Sequence, residues 1–115
     1  MVKFREVIIF LLIILLPFYN IAYSIESAAH KVEVAKCFGV IMTIKNNSKN
    51  KDNIEKANNI VELYLDKIIN LNIGSIMMKE MSEKAAEEVF TDLKSYPSTY
   101  FDTLLNKCIN TLRIG

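Results

Sequence analysis

Apolar residues recur at helical spacing through most of the chain, and the strand-like alternation of apolar and polar positions is absent. Over 26–45, Val34, Cys37, Phe38, Ile41 and Ile44 fall on one helix face, with Lys31, Glu33, Lys36 and Lys45 mostly off it. The polar run Asn-Asn-Ser-Lys-Asn-Lys-Asp at 46–52 then breaks the pattern and predicts a loop. A second helix is expected from Asp52, whose side chain can accept from the backbone while Glu55, three residues on, reaches back in a capping-box spacing. Its stripe is Ala57, Ile60, Val61, Tyr64, Ile68 and Leu71, ending near Asn72, with Gly74 expected as the left-handed terminating residue.

The third segment spans 75–94 and carries Met78, Met81, Ala85, Ala86, Val89, Phe90 and Leu93 on its apolar face, with Glu80 and Lys84 paired on the outside. Ser95-Tyr96-Pro97-Ser98 reads as a turn. The fourth helix then opens at Pro97 or Ser98 and runs to about Arg113. Phe101, Leu104, Leu105, Cys108 and Leu112 form its stripe. Four amphipathic helices joined by short connections predict an all-α fold, a compact helical bundle.

The N-terminus follows a different rule. Lys3 and Arg5 precede an unbroken apolar run from Val7 to Leu16, then Pro17 and the small-x-small sequence Ala22-Tyr23-Ser24. That order is the pattern of a secretory signal peptide. The expectation is a leader over 1–24, cut between Ser24 and Ile25, and a single mature domain over 25–115. The alternative is an uncleaved N-terminal membrane anchor, for which the apolar run is short against the about 20 residues a spanning helix needs. After cleavage no stable membrane insertion is expected, and the protein would be periplasmic or secreted.

An exported chain gives its two cysteines a meaning. Cys37 and Cys108 make an even pair without a CxxC neighbour, which predicts a disulfide. Both lie on apolar helix faces, so the bond would join the first helix to the last and make them neighbours. Closing nearly the whole domain into one loop stabilises by about 4 kcal/mol in the chain-entropy account.

Composition then removes function classes. The formal net charge is +1. Removing Lys3, Arg5 and Glu6 from the 14 basic and 13 acidic residues leaves the mature charges balanced. No basic block marks a nucleic-acid binder, and Lys45, Lys49 and Lys51 read as a solvated loop. His30 is the single histidine, at the start of the first helix and poorly placed as a rigid base. Glu80, Glu83, Glu87 and Glu88 read as a solvated face, and no Glu-x-x-His metal motif accompanies them. Glycines at 39, 74 and 115 allow no phosphate-binding loop. Asn46-Asn47-Ser48 matches a glycosylation sequon, a three-residue pattern of low specificity.

No catalytic residue, metal or cofactor is therefore expected. The reading is a small exported, non-enzymatic helical protein that acts by binding a protein partner, as inhibitors, immunity proteins and chaperones do. Its candidate interface residues are Met77, Met78, Met81, Tyr96 and Tyr100. The alternative is a carrier of a small apolar ligand held between the helices.

Overall fold

A computed structural model describes residues 28–113, and every structural statement below concerns them. The expected leader and its cleavage point lie outside these residues. Helix α1 covers 28–47, α2 Lys51–Asn70, α3 Ser75–Asp92 and α4 Ser98–Arg113. The all-α bundle is as the spacing predicted, and Cys37 and Cys108 are disulfide-bonded, with Cα atoms 5.6 Å apart across a sequence separation of 71. The first and last helices are neighbours.

The helix ends differ from expectation in three places, each for a local reason. Helix α1 runs on to residue 47 because the Asn47 side-chain amide donates to Thr43 O at 3.1 Å and the Ser48 N–H to Ile44 O at 3.0 Å. These bonds satisfy carbonyls the helix end would otherwise leave open. The cap of α2 is Asn50, not Asp52. Asn50 is extended (φ −87°, ψ 118°) and its side chain accepts from the Asn53 N–H at 3.0 Å. Asp52 instead lies in the first turn, where a carboxylate suits the helix dipole.

The end of α2 is a Schellman motif. The Ile73 N–H bonds Ile68 O and the Asn72 N–H bonds Ile69 O. The left-handed residue is Asn72 (φ 53°), whose short polar side chain tolerates that conformation. Gly74 serves as the extended N-cap of α3 (φ −66°, ψ 151°).

Helices α2 and α4 pack directly and run parallel. The Asn53 side chain bonds Ser98 O (3.2 Å), Lys56 pairs with Asp102 (2.7 Å) and the Tyr64 hydroxyl bonds Cys108 O (2.6 Å), an advance in the same direction on both helices. The apolar face of α1 lies on this pair. Val34, Ile41 and Ile44 are fully buried with Tyr64 and Leu105, in one cluster with Ala57, Ile60, Phe101 and the disulfide.

Helix α3 joins differently. It packs backbone against backbone on neither α2 nor α4, and meets α1 along a seam of small residues. Ala35, Gly39 and Thr43, spaced by four, are buried on α1, and Ser82 and Ala86 of α3 lie beside Gly39 and Thr43. At Gly39 the chains touch so closely that an added Cβ would lie 2.9 Å from both Cα and the carbonyl carbon of Ser82, and nearer still to its oxygen. Glycine here permits the approach. The Thr43 hydroxyl donates back to Gly39 O at 2.8 Å, which removes its polarity from the seam.

This narrow attachment explains why the expected face of α3 is only partly covered. Ala85 and Val89 are buried and Met78, Met81, Ala86 and Leu93 half-buried, while Phe90 is 48% exposed. Phe90 was expected in the core; it lies on the flank of the seam with about half its surface exposed.

Candidate functional site

The C-terminal ends of α1 and α3 meet the N-terminal starts of α2 and α4 at one end of the fold. There the 48–50 loop and the 93–97 turn enclose an open cleft of about 580 Å³. The size lies within the range of small-ligand sites.

Its polar wall is built by hydrogen bonds that the loop sequence provides. Ser48 Oγ accepts from the Asn50 N–H at 3.2 Å, and Asn50 caps α2. Asn53, only 3% exposed, spans to Ser98 O and so ties the starts of α2 and α4 together. Such bonds hold the wall in place before any ligand arrives. Asn53 sits four positions before Ala57, so it continues the apolar stripe of α2 with an amide. An amide at a stripe position is the signal the sequence carries for this buried polar site.

The opposite wall is aromatic. Phe101 is buried and forms the floor with half-buried Leu93, while Phe90 and Tyr96 stand at the rim. Tyr96 stacks on Tyr100 with ring centroids 4.5 Å apart, and Tyr100 meets Phe101 edge-on at 5.2 Å. The two tyrosines are 51% and 36% exposed. Burial, with Asp92 nearby, pushes the Tyr100 phenol above its usual range. The Lys94 ammonium rests 5.2 Å above the Phe90 ring, a cation–π contact at the mouth of the cleft.

The five candidate interface residues therefore separate. Tyr96 and Tyr100 stand at the cleft end of the fold. Met77, Met78 and Met81 are half-buried near the start of α3, and the helix rises about 17 Å between Met81 and Asp92. The two groups do not form one surface. Glu80, Glu83, Glu87 and Glu88 are all exposed, and no three of His, Cys, Asp and Glu among the described residues converge on a metal-sized site. His30 is half-buried in α1, and its Nε2 has no hydrogen-bond partner among the described residues. No described helix is long and apolar enough to cross a membrane.

No protein-family model, curated protein sequence or solved structure matches this chain.

Proposed function

We propose that this chain is an exported, disulfide-closed binding module that engages a protein partner through the aromatic rim of the cleft. The observation that carries the reading is the stacked pair Tyr96–Tyr100, exposed beside an open cleft. Aromatic side chains with a polar tip are the residue type that anchors protein interfaces. Placement outside the cytoplasm is supported by the disulfide, since such bonds persist in oxidising compartments. The interhelical space is occupied by Val34, Ile41, Tyr64 and Leu105, each fully buried, so this reading has more support than a carrier of an apolar ligand.

Two measurements test it. The intact mass of protein recovered from its native host should correspond to a chain beginning at Ile25 with both cysteines blocked to alkylation until reduced. A photo-crosslinking residue at position 96 should capture a discrete protein from the same extracytoplasmic fraction. A crosslinker at exposed Lys79, near the start of α3 and away from the cleft end, should not. Equal capture at both positions, or none at position 96, overturns the reading.

A further inference from the structure

We infer that the cleft takes an acidic peptide segment of the partner, with an aromatic or aliphatic side chain inserted against Phe101 and flanking carboxylates held by Lys49 and Lys94. The inference rests on the protein-partner reading above and names the chemistry of that partner.

Charge is the first argument. The charged side chains lining the cleft are Lys49, from the loop, and Lys94, from the turn; no carboxylate lines it. Lys45 and Lys51 flank the same loop in sequence. The nearby acids stand outside this lining: Asp52 is exposed in the first turn of α2, Asp92 and Glu88 act on the Tyr100 phenol, and Glu87 lies beside Phe90 on the flank of α3. The lining itself thus presents two ammonium groups and no carboxylate to an occupant.

Shape and composition are the second. A volume of about 580 Å³ suits a few side chains, not a folded domain. The floor is apolar at Phe101 and Leu93, so it favours an inserted side chain over a bare anion. The Asn47 amide oxygen and the Ser48 hydroxyl proton, which the hydrogen bonds above do not use, give the occupant's backbone an acceptor and a donor. Lys94 is already held over Phe90, so less side-chain freedom is lost when it meets a carboxylate. An oligonucleotide would also use lysines and aromatic rings. The near-zero net charge of the chain lacks the phosphate-neutralising field such binding relies on.

The test is chemical-shift mapping on the oxidised, 15N-labelled full chain with four probes. These are the blocked peptide Glu-Phe-Asp, its amide analogue Gln-Phe-Asn, its basic analogue Lys-Phe-Lys, and a thymidine hexanucleotide. The acidic peptide should shift the side-chain amides of Asn47 and Asn53 and bind about tenfold tighter than the amide analogue at low salt, the advantage fading at high salt. The double variant Lys49→Glu with Lys94→Glu, both side chains being exposed, should reverse the order of acidic and basic peptides. Equal binding of the three peptides, tighter binding of the hexanucleotide, or shifts confined to residues outside the cleft overturns the inference. If the position-96 crosslink captures a partner through a segment without acidic residues, this inference fails while the binding function stands. If nothing is captured there, the binding function itself fails.

Discussion

The Tyr64 hydroxyl donates to the backbone carbonyl of Cys108 at 2.6 Å, so the half-cystine that ties α4 to α1 is also bonded to α2. One residue thereby joins three helices, by a covalent bond on its side chain and a hydrogen bond on its backbone. Tyr64 is fully buried, and its burial pushes the phenol above its ordinary pKa of 10.0, with the Thr111 hydroxyl acting in the opposite direction.

Replacing Tyr64 by Phe should cost about 1 kcal/mol at neutral pH, the net worth of a neutral hydrogen bond. The alkaline behaviour is more diagnostic. A phenol whose pKa is raised by folding contributes stability that is fully present below pH 10 and is lost as pH rises toward the folded-state value. Wild type should therefore lose urea resistance above about pH 10, and the variant Tyr64→Phe should lack that component of the decline. An unchanged alkaline profile in the variant would place the titrating group elsewhere.

Removing the disulfide with Cys37→Ala and Cys108→Ala should lower unfolding stability by about 4 kcal/mol, given the 71-residue separation. Both half-cystines are nearly inaccessible, at 5% and 3% exposure. Reduction of the native protein should therefore be slow without denaturant and fast with it, a difference that timed alkylation and intact mass will read.

At Gly39 the usual ranking of residues reverses. Alanine in place of glycine within a helix ordinarily stabilises by about 0.5–1 kcal/mol. Here the new methyl meets the Ser82 backbone, and overpacking of this kind costs about 1–3 kcal/mol. Gly39→Ala should destabilise, and hydrogen exchange should show lost protection in α3 with α2 and α4 still protected. Uniform loss across all helices would mean that α3 is not separately attached.

The identity of the α2 cap separates two substitutions two positions apart. Asn50→Ala removes the side-chain acceptor of the Asn53 N–H and should cost about 1 kcal/mol. Asp52→Ala removes only a first-turn charge and should cost about 0.3–1 kcal/mol at low salt, vanishing at high salt. Thermal midpoints at two salt concentrations distinguish them.

Periodicity specifies the helices and, for α1, α2 and α4, the face turned to the core. Apolar residues at three- and four-residue spacing cannot all be shielded except on one side of a helix, so the stripes of α1, α2 and α4 were legible, as was the pairing of Cys37 with Cys108. Tertiary structure decided what a stripe does not encode. Ala35, Gly39 and Thr43 carry too little apolar surface to register as a face, yet they let α3 approach α1, because close contact depends on small volume and not on hydrophobicity. The same seam leaves Phe90 half exposed, although its position on α3 belongs to the apolar side. The cleft, too, assembles from the 48–50 loop, the 93–97 turn and the starts of α2 and α4. No local pattern joins these segments; they meet because α1 and α3 end where α2 and α4 begin.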